Sequence, residues 1–325
     1  VFAKCLKLDD LPQIAADGDF MPHEFDLIAR LRERANVRPP VILGIGDDAA
    51  VLRHPAETRE VVTTDMLMDG VDFRVGEVAP ELIGRKCLAV NLSDLAAMGA
   101  RPTAAFVSVA LPTLQGQPFA ERLFAGLFHL AEEFEITIAG GDTNTWNSPL
   151  VVSVTALGDV TERGPVLRSG AQPGDSIFVT GACGGSLAGR HFTFTPRVRE
   201  AQALLRLVPV HSLIDISDGL AADLQHLLDE SGVGGIVYAE SIPIHPDVPA
   251  ELASHDRLQA ALGDGEDFEL LFTIDPRDEA QLLNSWDLAT RLTKVGVVTR
   301  EPGAWLRSAE GNLKPLPRVG WKHKL

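Results

Sequence analysis

Apolar residues along the chain recur with a period near 3.6 in some stretches and near 2 or in short unbroken runs in others, and the changes outline the expected elements. Residues 24–35 (EFDLIARLRERA) place Phe25, Leu27, Ile28 and Leu31 at near-helical spacing. VILGIGDDAAVL follows as an apolar strand broken by Gly44 and Gly46, and EVVTTDMLMDG is a second strand ending in acid. Residues 80–98 predict a long helix with Leu82, Ile83, Leu88, Leu92 and Leu95 on its apolar side. TAAFVSVALP predicts a strand closed by Pro112, and residues 118–134 an amphipathic helix. ITIAGGDTN and LVVSVTALGDV predict strands on either side of a turn. The run 161–175 (TERGPVLRSGAQPGD), rich in Gly, Pro and charge, is the expected domain boundary. Beyond it SIFVTG predicts a strand, and GACGGSLAG a small-residue turn leading to a helix. SLIDISDGLAADLQHLLDESG predicts a strand end, an acidic turn and a helix. GIVYAESIPI, DFELLFTI and TKVGVVTR are the later strands, with helices near 246–261 and 277–285. Strands and helices alternate in both halves, so the expected class is α/β or α+β.

A chain of 325 residues suits two domains, read as 21–166 and 167–325. Residues 1–20 carry Asp9, Asp10, Asp17 and Asp19 and are read as an extension, because Met21-Pro22-His23-Glu24-Phe25 has the look of a natural start. Hydrophobic residues at 45% supply two cores, and aromatics at only 6% leave those cores to Leu, Val, Ile and Ala. The net charge of −16 disfavours nucleic acid and anionic membrane surfaces as partners. It also opposes a phosphate ligand, unless bound divalent cations intervene. No apolar run approaches the roughly 18 residues of a membrane span. Cys5, Cys87 and Cys183 form no C-x-x-C pair, which points to a reducing cytoplasm and away from disulfides or a zinc knuckle.

Several segments share one design: an apolar stretch runs into a glycine-rich turn or a helix start, with an aspartate at the junction. They are Gly46-Asp47-Asp48, Thr63-Thr64-Asp65, Asn91-Leu92-Ser93-Asp94, Gly140-Gly141-Asp142-Thr143 and Asp215-Ile216-Ser217-Asp218-Gly219. Each alone reads most simply as a turn or a helix cap, as Asp218 would be for a helix starting near Leu220. Together they offer the carboxylate and hydroxyl oxygens that magnesium prefers. Gly44-Ile45-Gly46-Asp47-Asp48-Ala49 matches the dinucleotide fingerprint only superficially, since paired aspartates would repel a bare pyrophosphate. The chain contains no Walker lysine motif, no H-R-D or D-F-G, and no G-x-S-x-G.

GIGDDAAVL, TTDMLMDGVDF, GRKCLAVNLSDLAAMGA, GGDT, RSGAQPGD, DISDGLAADL and GEDFELLF, in this order, resemble the thiamine-monophosphate kinase family. That family belongs with aminoimidazole ribonucleotide synthetase, selenophosphate synthetase and a hydrogenase-maturation protein. The resemblance spans residues 21–325 and implies the two-domain aminoimidazole ribonucleotide synthetase-like fold, with a C-terminal α/β domain and N-terminal sheets that pair across a homodimer. It implies transfer of the γ-phosphoryl group of ATP directly to the phosphate of thiamine monophosphate, assisted by several magnesium ions and with no protein nucleophile. The implied metal ligands are Asp48, Thr63, Thr64, Asp65, Asp94, Asp142, Asp215 and Asp218. Gly141, Arg168 and Ser217 would contact ATP, and Glu266 and Trp321 the thiamine moiety. The chain departs from the family pattern where Gly70-Val71-Asp72-Phe73 puts Asp72 at a substrate-contact position usually held by histidine, and where Phe268 stands for a tyrosine. Two other readings remain open on the residues: a related ATP-dependent enzyme with a different acceptor, and a nucleotide-binding regulator without catalysis.

Overall fold

The computed structural model describes residues 30–44, 51–53, 59–160, 164–317 and 319–321. Most of the expected 24–35 helix and the Asp47-Asp48 turn lie outside these residues, though 30–34 are helical. A short antiparallel pair, β1 (Val41–Leu43) and β2 (Val51–Leu52), comes first. Then follow β3 (Arg59–Met68), α1 (Pro80–Ala97), β4 (Arg101–Pro112), α2 (Gly116–Glu133), β5 (Thr137–Trp146) and β6 (Val151–Val160). The four long strands form one sheet in the order β3-β6-β4-β5. The β4/β5 pair is parallel and the other two are antiparallel. A parallel pair needs a crossover, which α2 provides.

Helix α1 starts on Pro80, whose fixed φ suits the first helical position. It stops at Gly99, which takes φ +67 while Ala100 N–H bonds back to Leu95 O at 2.8 Å, a left-handed glycine stop. The sequence suggested one apolar side. Instead α1 is buried nearly all round, Lys86, Asn91 and Ser93 included. The reason is its position: β3, β6 and α2 pack on one side, α3 and β8 of the C-terminal half on the other. The approach to α2 is as close as backbones allow. A Cβ on Gly84 would sit 1.9 Å from Leu123 O, and one on Gly126 1.8 Å from Glu81 O.

The C-terminal half runs β7 (Ser176–Thr180), α3 (Val198–Leu207), β8 (Ser212–Asp215), α4 (Leu220–Ser231), β9 (Gly234–Tyr238), α5 (Ser254–Gly263), β10 (Leu270–Ile274), α6 (Glu279–Ser285), β11 (Leu292–Thr299), β12 (Gly303–Arg307) and β13 (Leu313–Pro315). Its seven strands lie in the order β13-β12-β9-β11-β7-β10-β8. Both faces are covered, so SIFVT and LLFTI are buried throughout and mostly apolar. Phe178, Leu213, Leu270 and Phe272 point into the core shared with α1, whereas Ile177, Val179, Ile214 and Leu271 join a second core containing Leu224, Leu227 and Leu228 of α4 and Ala261 and Leu262 of α5. Among the described residues no helix is long and apolar enough to cross a membrane.

Three elements differ from expectation. The helix expected after GACGGSLAG begins only at Val198, after two short 3₁₀ turns, Ser186–Ala188 and Arg190–Phe192, around which Gly184, Gly185 and Gly189 take φ of +89, +73 and +135. The helix expected near 246 begins only at Ser254, beyond Pro246 and Pro249. The strand in DFELLFTI starts at Leu270, since Glu266 and Phe268 both adopt φ +52.

The α1–α2 contact predicts that Gly84→Ala, an innocuous change in an exposed helix, costs about 1–3 kcal/mol here through overpacking. A clear fall in Tm is the expected result, and an unchanged Tm would mean that the helices stand further apart.

Candidate active site

A cavity of about 550 Å³ opens between the two halves. Helix α1 forms its floor with Lys86, Val90 and Asp94, spaced i, i+4 and i+8 so that they share one stripe roughly 12 Å long. The two ends of this stripe differ in chemistry.

At the Asp94 end, Asp65 from β3, Asp215 from the end of β8 and Asp218 from the following turn line the same wall. Thr63 Oγ1 donates to Asp94 Oδ2 at 2.5 Å, and Ser93 Oγ to Asp215 Oδ2 at 2.6 Å. Burial, then repulsion from Asp94 and Asp72, pushes the Asp65 carboxyl up to about 6. Burial and Asp94 push Asp215 up to about 7, against the pull of Ser93 and Arg168. Asp94 is also raised by burial, and Thr63 and Arg168 moderate it. Crowded carboxylates with hydroxyl neighbours make a hard, oxygen-only donor set that fits a divalent cation. Among the described residues no three His, Cys, Asp or Glu side chains converge tightly enough to enclose an ion on their own. A cation here would complete its shell with water and ligand phosphate, as magnesium commonly does.

The turn bearing Ser217 and Asp218 is fixed by a residue that motif reasoning passed over. Asp223, in the first turn of α4, accepts N–H bonds from Ser217, Asp218 and Gly219 at 3.0, 3.1 and 3.0 Å. Those amides are thereby occupied. Asp218 is not the cap of α4 that its position suggested; Gly219 takes that place.

At the other end, Phe73, Phe192 and Phe268 wall the cavity with Leu187 and Glu266, while Trp321 lines it beside Asp218, whose carbonyl accepts the Trp321 N–H at 3.0 Å. The Lys86 ammonium donates to both Glu266 oxygens at 2.8 Å and to Asp72 O at 2.9 Å, and lies 5.2 Å from the Phe192 ring. Lys86 is 0% exposed. His191 Nδ1 lies 2.8 Å from Ser186 O, so this nitrogen carries the hydrogen, and Nε2 faces Glu266 Oε2 at 3.9 Å. Burial lowers the pKa of this histidine. Asp72 lines the cavity, but its carboxylate turns back to accept Met68 N–H at 2.7 Å.

Thus Asp65, Asp72, Asp94, Asp215, Ser217, Asp218, Glu266 and Trp321 meet at one cavity, with Thr63 bonded to Asp94 behind it. Arg168 is exposed and acts on Asp94 and Asp215 through its charge. Thr64 points to the opposite face of the sheet, bonding Val154 O and Thr155. Gly141 and Asp142 are not at the cavity. They lie on β5, the far edge of the sheet from β3, and the register Asp65–Val154–Val107–Gly141 puts three strand spacings, about 14 Å, between them. Gly141 has a structural need for glycine there, as a Cβ would sit 1.9 Å from Val107 O. Asp48 lies outside the described residues. Lys86, His191 and Asp223 were missed. The signal for Lys86 was a lysine inside an otherwise apolar helix, which sequence reading takes for a surface position.

The profile of the AIR synthase related protein N-terminal domain matches residues 46–160, and that of the C-terminal domain residues 172–306. A thiamine-monophosphate kinase of Rhodopirellula baltica is 42% identical over 309 residues, covering 92% of this chain and 97% of the relative. The chain belongs to the thiamine-monophosphate kinase family. The crystal structure of the thiamine-monophosphate kinase from Stenotrophomonas maltophilia K279a superimposes with a TM-score of 0.78 at 37% identity, covering 87% of this chain and 96% of the other. A second structure, AaThiL complexed with AMPPCP and TMP, has a TM-score of 0.72 at 29% identity and covers 93% of this chain and 97% of the other. The seven ordered motifs that carry the resemblance are thus laid out on the fold of that family.

The crowded aspartates also generate a pH test. A folded-state pKa above the unfolded value of 3.8 means that the fold favours the protonated acid. That stabilisation is present below about pH 4 and is lost as pH rises through about 6 for Asp65 and about 7 for Asp215. Asp215→Asn keeps an acceptor for Ser93 and removes the charge. In EDTA its Tm is expected to exceed that of the unsubstituted protein by a margin that widens from pH 5 to pH 8, reflecting a stability gain on the order of a few kcal/mol at most. Added Mg²⁺ is expected to narrow the margin. A margin independent of pH would show that Asp215 is ionised in the fold throughout.

Proposed function

We propose that this chain transfers the γ-phosphoryl group of ATP to thiamine monophosphate, giving thiamine diphosphate and ADP, with Mg²⁺ held at the aspartate end of the cavity. The observation that carries the reading is the polarity of that cavity: Asp65, Asp94, Asp215 and Asp218 meet around the Asp94 end of the α1 stripe, and Phe73, Phe192 and Glu266 around the Lys86 end. An acceptor with a flat cationic ring and an anionic phosphate suits both ends. A relative of the same fold is named as a complex with AMPPCP, an ATP analogue, and TMP, which supports the pairing of donor and acceptor.

The acceptor phosphate is already an anion at neutral pH, so no strong general base is required, and catalysis reduces to positioning and charge compensation. Asp65, Asp94, Asp215 and Asp218, with Thr63 behind Asp94, would hold Mg²⁺. Bound there, the metal would offset the charge of the phosphates that an acidic protein otherwise repels. Asp223 holds the turn of Ser217 and Asp218 in place, Arg168 supplies a cation beside Asp94 and Asp215, and Trp321 stands where it can stack on the acceptor ring.

We assign the remaining expected ligands to a second copy of the chain. The outer face of the N-terminal sheet exposes Val62 and Met66 on β3, at 59% and 61%. Asp142 lies on that face too, in register with Ser108, Ser153 and Met66. β1 and β2, which bracket the Asp48 turn, pack there on the β4–β5 edge through Val41, Ala104 and Ala139. A homodimer made through these faces covers the apolar positions and gives each cavity its missing acids from the partner. The domain division at residues 166 and 167 and a cytoplasmic location, where ATP and free thiols are maintained, belong to the same reading.

Two measurements test it. Purified protein with Mg²⁺, ATP and thiamine monophosphate is expected to form thiamine diphosphate and ADP in equal amounts. Nucleotide binding without product would favour a regulator, and turnover only with another phosphate acceptor would favour a different enzyme of the superfamily. Asp65→Ala and Asp142→Ala are each expected to lower kcat by about 10²–10³ with folding intact. Mixing the two inactive variants under subunit exchange should return roughly a quarter of the original activity, because half of the dimers are mixed and each carries one intact site. No recovery would place both aspartates in one chain's site, or remove Asp142 from it.

A further inference from the structure

The buried Lys86–Glu266 pair has no part in the phosphoryl-transfer chemistry just described, yet it spans the domain boundary at the acceptor end of the cavity. Lys86 belongs to α1 of the N-terminal half, whereas Glu266 sits in the segment leading into β10 of the C-terminal half. A fully buried ammonium is costly unless paired and hydrogen-bonded. Here its three donors have three acceptors, the two Glu266 oxygens and Asp72 O, and one flank lies against the Phe192 ring. The side chain of Glu266 is 28% exposed, against 1% for that of Lys86. The carboxylate therefore meets the cavity and the lysine stands behind it.

The backbone of Glu266 is held as firmly. Its φ of +52 is unfavourable for a residue with a side chain, and such a conformation persists only when its surroundings over-determine it. Glu266 N–H bonds Ser217 O at 2.7 Å, and Ser186 Oγ donates to Glu266 O at 2.6 Å. Next door, Asp267 accepts from Gly184 N–H and from Arg190. These contacts fix where Glu266 leaves the chain. Among the described residues, Lys86 alone is shown at hydrogen-bond distance from its carboxylate and fixes where that carboxylate ends up.

We infer that Lys86 is a positioning residue for acceptor recognition: it locks the Glu266 carboxylate in the orientation that receives the cationic head of the acceptor, about 12 Å along α1 from the aspartates at Asp94. This inference rests on the proposed phosphotransferase reading, with Glu266 as an acceptor contact. Because Lys86 and Asp94 share one helix, the same rigid element sets both the position of the acceptor head and that of the metal-binding acids. Lys86 thereby ties acceptor selection to closure of the two halves.

The test is a double-mutant cycle in the full-length protein, read as separate KM values for thiamine monophosphate and ATP. Activity of the unsubstituted protein comes first: without it the function reading fails, and the positioning role falls with it. With activity present, Lys86→Met and Glu266→Gln are each expected to raise the KM for thiamine monophosphate at least tenfold and to leave the KM for ATP within about twofold. The double variant Lys86→Met/Glu266→Gln should match Glu266→Gln alone, since a residue that acts only through Glu266 has nothing left to position. Should Lys86→Met fail to fold because it leaves a buried carboxylate unpaired, the comparison of the double variant with Glu266→Gln still decides the matter. Additive effects would overturn the inference by showing that Lys86 meets the substrate itself. So would equal increases in both KM values, which would mark the pair as a structural clasp without selectivity.

Discussion

Burial of helix α1 on every side is the constraint from which the rest of the molecule follows. A helix packed between two sheets turns little of its surface to water, so its buried charged and hydroxyl groups need partners in the protein. Lys86 finds Glu266 and Asp72, Ser93 finds Asp215, and Asp94 finds Thr63. The partners come from both halves of the chain, so satisfying the helix joins the halves. The cavity is the gap left along one stripe of this helix, and its two chemistries are set by which polar residues fall on that stripe. The close α1–α2 approach through Gly84 and Gly126 holds the helix firmly enough for an alignment across that stripe to carry meaning.

This arrangement explains what could be read from the sequence. The strands of the N-terminal sheet and β7 to β11 were legible because their apolar runs are short and end in glycine, proline or acid, whereas β12 and β13, short and at one end of the sheet, were not. The ordered aspartate motifs that supply Asp65, Asp94, Asp215 and Asp218 come together at one cavity, because each sits where a strand or helix end meets the gap between domains. Lys86 was not legible. Periodicity assigns a lysine to the solvent side of an amphipathic helix, and α1 has no solvent side. Asp223 was hidden for a different reason: its job is to hold three amides of a turn, which depends on a loop conformation rather than a residue pattern. Asp142 shows the limit of order along a chain. Motifs adjacent in a list of functional residues stand on opposite edges and opposite faces of one sheet, because the sheet order β3-β6-β4-β5 separates the first strand from the third in sequence.

The 264–268 segment shows how local irregularity serves the same end. A regular strand running from Glu266 through DFELLFTI would place Glu266 and Phe268 on the same face of the sheet. The left-handed turns at these two residues break that pattern. They leave Phe268 stacked on Phe194, with ring centroids 4.1 Å apart, while Glu266 reaches the cavity. Loss of the tyrosine hydroxyl usual at this position leaves that stacking in place, so Phe268 serves the wall by its ring alone. Strain at such a point is sustained by the bonds from Ser217, Ser186 and Asp267 that surround it.

The acid at Asp72 can be understood in the same physical terms. A carboxylate beside a phosphate would be unfavourable, and a family histidine at this place makes the substitution look severe. Yet the Asp72 carboxylate is turned onto Met68 N–H, where it closes the turn that ends β3, and its carbonyl serves Lys86. It stands at the end of the cavity lined by aromatic rings and Glu266, where Lys86 and Glu266 already cancel each other's charge. A residual negative charge at that end repels a phosphate and attracts a cationic ring. On the proposed reading, an acceptor with both would turn its ring toward Asp72 and its phosphate along α1, toward the end where a bound cation would offset the aspartates. The large negative charge of the chain, which at first counts against any phosphate ligand, then becomes part of how the two ends of the ligand are told apart.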